Sequence, residues 1–164
     1  MDIDRQVRAR TGRRVFTVVL ALFLLLGALG FYGVRTATAS ATGGGYELSV
    51  RYATISRPGL ATPWSFQVRR PGGFPDGLTV AVTSSYFDAF DENGFAPQPE
   101  QELVDDERTI WHFAPSTSET ISVSFDARIE PGVQLTRVKG QLAVLTGRTG
   151  PPAVTVGFGT LLMP

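Results

Sequence analysis

Residues 121–126 read ISVSFD, with Ile121, Val123 and Phe125 alternating with Ser122, Ser124 and Asp126. Successive side chains of a strand point to opposite faces, so this strict period of two predicts a strand with one buried and one wet face. The pattern recurs along the chain. Tyr46, Leu48, Val50 and Tyr52 alternate with Glu47, Ser49 and Arg51, and Trp64, Phe66 and Val68 alternate with Ser65, Gln67 and Arg69. Leu78, Val80 and Val82 form another such set, as do Thr109, Trp111 and Phe113 against Ile110 and His112. Further on, Val154, Val156 and Phe158 alternate with Thr155, Gly157 and Gly159, and a short apolar run at residues 139–145 brings the count of strands to seven. Turn chemistry separates them at Arg57-Pro58-Gly59, Pro71-Gly72-Gly73, Pro75-Asp76-Gly77, Pro131-Gly132 and residues 147–152.

Seven short alternating strands predict an all-β domain over residues 46–164. At this level the segment resembles the immunoglobulin-like and fibronectin-type β-sandwiches. The resemblance rests on strand count. The Cys-Trp-Cys hallmark is missing because the chain has no cysteine, and Trp64 and Trp111, both on inward faces, are expected to supply the large core side chains instead. Sandwiches of this kind serve many functions, so the resemblance implies a fold and no activity.

Ahead of this domain, residues 15–34 read VFTVVLALFLLLGALGFYGV, twenty positions without a charge. At about 1.5 Å per residue such a helix matches a hydrocarbon core of roughly 30 Å, which predicts a transmembrane helix in contact with membrane lipid. Arg5, Arg8, Arg10, Arg13 and Arg14 precede the run and only Arg35 follows it closely. The positive-inside rule therefore puts residues 1–14 in the cytoplasm and the β domain outside, at the plasma membrane. Phe31 and Tyr32 fall where an interfacial aromatic belt is expected. A cleaved signal peptide competes with this reading, because Ala37-Thr38-Ala39 and Ala39-Ser40-Ala41 both have the A-x-A form. The apolar run exceeds the roughly 7–15 residues of a signal core, which favours a retained signal anchor. Arg13-Arg14-Val15-Phe16 resembles the core of a twin-arginine signal, a route that also delivers the domain outside. Residues 35–45, rich in small residues and ending in three glycines, are expected to be a flexible linker.

Residues 84–107 (SSYFDAFDENGFAPQPEQELVDDE) break the strand pattern. Ser85 with Asp88 has the spacing of a capping box and Asn93-Gly94 makes a helix stop, so a short helical turn is expected near residues 85–93. The acidic remainder reads as a solvated loop. A connection this long is a natural contact surface, and Tyr86, Phe87, Phe90 and Phe95 are the aromatic candidates for partner binding. Asp88, Asp91, Asn93 and Glu100 carry part of a calcium-loop spacing: Glu100 stands six residues after Gly94, but Ala89 occupies the position two before Asp91 where a ligand is needed. Capping and solvation are preferred over a bound cation. The apolar C-terminal run Phe158 to Pro164 is read as an edge strand or a docking segment.

Composition removes most chemistry. Without cysteine there is no disulfide scaffold, thiol nucleophile or thiolate metal site, and a single histidine excludes sites that need two imidazoles. No nucleophile elbow, phosphate loop or dinucleotide fingerprint occurs, no cofactor is implied, and His112 is expected to be an ordinary surface residue. Net charge is zero, but residues 1–35 hold six Arg against Asp2 and Asp4, which leaves 9 basic and 13 acidic residues in positions 36–164. An acidic domain with scattered arginines offers no basic stripe for nucleic acid. The sequence therefore predicts a single-pass, membrane-anchored, extracytoplasmic module without catalytic activity that binds a protein at the membrane. The alternative is a carbohydrate- or small-ligand-binding domain using Trp64, Trp111 or the aromatics of residues 84–107 as a stacking platform, or a secreted form released by signal cleavage.

Overall fold

The computed structural model describes residues 3–28, 34–130, 132 and 134–163; the expectations for Phe31, Tyr32, Pro131 and Pro164, and for the side chain of Asn93, lie outside the described residues. The chain divides into two units, Met1–Gly33 and Val34–Pro164. The first holds one helix, α1 (Ile3–Ala28), apolar all round over its second half, with Thr17 Oγ1 donating to the Arg13 carbonyl at 2.9 Å. Arg10–Ala28, 19 residues, is long and apolar enough to cross a membrane, a test that a signal sequence near the N-terminus also passes.

The second unit consists of ten strands: β1 (Arg35–Gly43), β2 (Tyr46–Ser56), β3 (Ala61–Arg69), β4 (Leu78–Thr83), β5 (Phe90–Ala96), β6 (Gln101–Val104), β7 (Arg108–Phe113), β8 (Thr120–Ile129), β9 (Thr136–Leu145) and β10 (Pro152–Leu162). All seven strands expected from the alternation are present. Three were not expected. They form one sheet in the order β5-β8-β3-β2-β10-β9-β4-β7-β6, with β1 paired to β2 off this path. Four strands separate β3 from β7 in that order, yet Trp64 of β3 and Trp111 of β7 stand 6.1 Å apart between ring centroids. Phe95 of β5 is 4.6 Å from the same Trp111. The sheet is therefore curled on itself around one core, with β5 and β6 at the ends of that order and β1, paired to β2 alone among the described strands, off it. Twist and alternation produce this: each strand commits its apolar face to the same interior, and curling is how a many-stranded sheet covers that interior.

Trp64 is the hub of the core. Its indole is 2% exposed and lies 5.2–6.1 Å from the rings of Phe66, Phe87, Trp111, Phe125 and Phe158, mostly edge to face. Trp111 donates its Nε1–H to Glu102 Oε1 at 2.9 Å, whereas the Trp64 N–H has no hydrogen-bond partner among the described residues.

The first correction concerns residues 35–45. These form a β-hairpin with β2 instead of a flexible linker: β1 pairs antiparallel with β2 from Arg35↔Ile55 to Gly43↔Tyr46. Gly44 and Gly45, at φ +57° and +82°, make the two-residue turn, and positive φ at both central positions is what a type I′ hairpin requires. Thr36, Thr38, Ser40 and Thr42 face outward while Ala37, Ala39 and Ala41 are half-buried, with Ala39 and Ala41 against the core. The period of two was present, written in alanine and threonine.

The helical turn is shorter than expected. A single 3₁₀ turn (Ser84–Tyr86) precedes β5, and residues expected to be helix or loop enter β5 and β6 instead. Asp91 and Glu92 pair in register with Arg128 and Ala127 of β8, so sheet pairing overrides the local capping signal. The C-terminal run is corrected as well. β10 lies inside the sheet order, antiparallel to β9 along its length and parallel to β2 at Leu161↔Ile55 and Leu162↔Ser56.

Tyr86 pins the 3₁₀ turn to β10. Thr160 Oγ1 donates to the Ala53 carbonyl, so the Tyr86 hydroxyl is the donor in its 2.8 Å bond to Thr160 Oγ1. Burial pushes the Tyr86 hydroxyl up to about 12. A raised native value means that stability is complete below about pH 10 and falls as pH rises from 10 toward 12. The full alkaline loss amounts to about 2–3 kcal/mol. Tyr86→Phe is expected to lose about 1 kcal/mol at neutral pH through the missing bond and to show a flatter alkaline limb in denaturant titrations. A parallel alkaline loss in both proteins would contradict this.

Candidate functional site

The aromatic contact surface expected in residues 84–107 is buried. Tyr86, Phe87 and Phe90 are 1%, 7% and 5% exposed, and Phe95 packs half-buried between Trp111 and Phe125. Period-two and helical readings both failed here because these rings come inward from a turn. They form part of the core, and none of the first three is available to a partner.

The cation candidates do not converge. Asp88 is exposed in the turn before β5, Asp91 stands opposite Arg128 in the β5–β8 pairing, and Glu100 precedes β6 at the other edge of the sheet order. A calcium loop is compact and local, and here extended strands carry the residues apart. Among the described residues no group of three His, Asp or Glu side chains is placed to hold a metal. His112 is also corrected. It is 6% exposed, with Nδ1 and Thr79 Oγ1 at 2.9 Å, because Thr79 stands opposite it in β4 and the chain at Gly77 packs against its ring.

Two features remain on the surface. The first is the free edge of β6. Asp105 N–H donates to the Arg108 carbonyl at 2.9 Å, closing the β6–β7 turn, and alternation then directs the backbone of Gln101 and Leu103 toward β7. The N–H and C=O of Glu102 and Val104 point outward, where no described strand pairs with them. Leu103 and Val104 are 63% and 69% exposed. Carboxylates flank them along the chain, Glu100, Glu102, Asp105, Asp106 and Glu107, with Glu102 accepting the Trp111 indole N–H. Asp105 Oδ1 accepts the N–H groups of Arg108 and Glu107 at 2.6 and 2.9 Å, and these two bonds hold its carboxyl below the usual range. The opposite edge, β5, is irregular, with a register shift between Glu92 and Phe95. Sequence reasoning missed β6 because four residues between charges and prolines show too short a period to register.

The second feature is a notch of about 680 Å³ over β9 and β10, rimmed by Tyr52 and Thr54 of β2, Thr83 of β4, and Arg137 and Lys139 of β9, with Gly157 and Gly159 in its floor. The only sequence signal for it was the pair of alternating glycines in the last strand.

No protein-family model and no curated protein matches the chain. Among solved structures the chain is similar to a cohesin module from a Clostridium perfringens ATCC13124 family 33 glycoside hydrolase. Identity is 8% over 77% of this chain and 98% of that one, with a TM-score of 0.45. It is also similar to AvmM, described as catalysing macrocyclization in alchivemycin A biosynthesis, at 9% identity over 80% and 89% of the two chains, with a TM-score of 0.39. Neither likeness carries a functional argument at these scores.

Proposed function

We propose that this chain is a membrane-tethered binding module without catalytic activity, held in the plasma membrane by the uncharged run of residues 15–34, with the arginine-rich residues 1–14 cytoplasmic and the β domain outside. The observation that supports a binding role most directly is the open β6 edge. Exposed outward N–H and C=O groups beside two exposed apolar side chains are what an added strand pairs with. The occupant is an extended basic segment of another protein. Five carboxylates around Leu103 and Val104 attract Lys or Arg, and a second copy of this edge would set acid against acid. The buried, Thr79-bonded His112 supports a role other than general-base catalysis, and the buried Trp64 and Trp111 count against a carbohydrate stacking platform. The curled sheet is read as an immunoglobulin-like sandwich, a reading supported by the two walls that meet at Trp64 and Trp111.

The test uses the full chain in neutral detergent and a synthetic ten-residue peptide of alternating Lys and Val. Val104→Pro removes an outward N–H and leaves the β7 pairing intact. The variant is expected to melt like the parent and to bind the peptide at least about tenfold more weakly, a change of about 1.4 kcal/mol. Equal binding by the two proteins contradicts strand addition at β6, and equal binding of a Glu-Val peptide contradicts a basic occupant. Membrane fractionation and N-terminal sequencing address the tether: a mature start after residue 34 would replace the anchored form by a secreted one.

A further inference from the structure

We propose that the notch over β9 and β10 binds the oxyanion of a phosphate ester through Arg137 and Lys139. The two residues are two positions apart on one strand, so both side chains leave the same face about 7 Å apart. Both are exposed, and among the described residues neither makes an ion pair, whereas Arg69 and Glu47 do, at 3.7 Å. No carboxylate lines the notch, in a segment where acidic residues outnumber basic ones by 13 to 9. Its cations therefore run against the charge of the rest of the domain.

The floor gives an independent reason. Lys139 and Gln141 stand opposite Gly159 and Gly157 in the β9–β10 register, so the neighbouring strand presents bare backbone beside the cations. Gly140 and Gly159 have reasons within the fold: a Cβ at Gly140 would meet the Phe158 ring at 2.9 Å, and one at Gly159 the Val138 carbonyl at 3.1 Å. Gly157 has none. Its backbone is ordinary for any residue, and a Cβ there would meet nothing within 4 Å. A glycine inside a strand weakens it, and such a position commonly marks where a ligand approaches the backbone closely. At the rim, Thr83 Oγ1 accepts the Gln141 N–H at 3.0 Å and keeps its own O–H to donate, while the Thr54 hydroxyl is committed to the Arg35 carbonyl. A carboxylate is satisfied by one guanidinium fork, whereas Arg and Lys together with the Thr83 hydroxyl suit an anion that presents three or more oxygens. The source of that phosphate is either a lipid headgroup or a soluble ester.

Calorimetry on the full chain in neutral detergent micelles tests this, with glycerol phosphate added in one arm and micelles doped with a short-chain phosphatidylglycerol in the other. Saturable binding in at least one arm is expected, and the arm that shows it assigns the source. Arg137→Ala/Lys139→Ala should weaken binding more than tenfold. Gly157→Val fills open space, so it should fold with an unchanged melting temperature and still bind at least tenfold more weakly. Arg148→Ala, outside the notch, and Val104→Pro, on β6, should bind as the parent does. No saturable heat in either arm, full affinity in Gly157→Val or in the double variant, or an equal loss in Arg148→Ala overturns the proposal.

Discussion

Trp64→Ala is expected to unfold a large part of the population of the β domain at 37 °C. The substitution empties the position on which five aromatic rings converge, contributed by β3, β7, β8, β10 and the turn after β4. Truncating a buried tryptophan costs about 3–5 kcal/mol, against a total of roughly 5–15 kcal/mol for an ordinary domain. Because Trp64 and Trp111 lock the two ends of a curled sheet together, the loss should be cooperative, with one transition in both near- and far-ultraviolet circular dichroism. Trp64→Phe provides the contrast. The Trp64 N–H is buried without a described partner, so removing it relieves a desolvation cost that partly offsets the lost ring volume. Trp111→Phe instead removes the donor to Glu102 and should destabilise more than Trp64→Phe. The reverse order would contradict the relief expected from removing the unpartnered Trp64 N–H.

The second large effect concerns β1. Replacing residues 36–42 with seven glycines keeps the length and, for a linker, would leave the melting temperature unchanged. For a strand paired with β2 along its length, glycine costs about 0.5–1 kcal/mol per interior position, or roughly 3–7 kcal/mol in all, before the lost packing of Ala39 and Ala41 is counted. A strongly lowered melting temperature in denaturant-free buffer is the expected result.

These two cases show what the sequence could and could not convey. Tryptophan at a period-two inward position is legible because a large apolar ring has few places to go, and Trp64 and Trp111 lie where the alternation puts them. The β1 hairpin was illegible because alanine and threonine serve linkers and strands alike; what decides between them is the neighbouring β2 edge, which no local pattern reports. Tyr86, Phe87 and Phe90 were read as surface for a related reason. They sit in a segment with turn and acid signals, and only the curl of the sheet, which brings the turn after β4 over Trp64 and Phe158, turns them inward. His112 follows the same rule: alternation puts it on the outer face, and the chain at Gly77 covers it there. The β6 edge and the β9–β10 notch arise from strand order and from glycines beside cations across strands, relations that require the register.

The central claim is that the β6 edge receives a strand from another protein outside the membrane. A photo-crosslinking amino acid at position 104 of the full chain, activated in intact cells and followed by peptide mapping, tests it most directly. The account predicts a crosslink to an extended Lys- or Arg-containing segment of a different protein, abolished by Asp106→Lys/Glu107→Lys and absent when the crosslinker is placed at position 87. A crosslink to position 104 of a second copy of this chain, or one that survives the charge reversal, would contradict it.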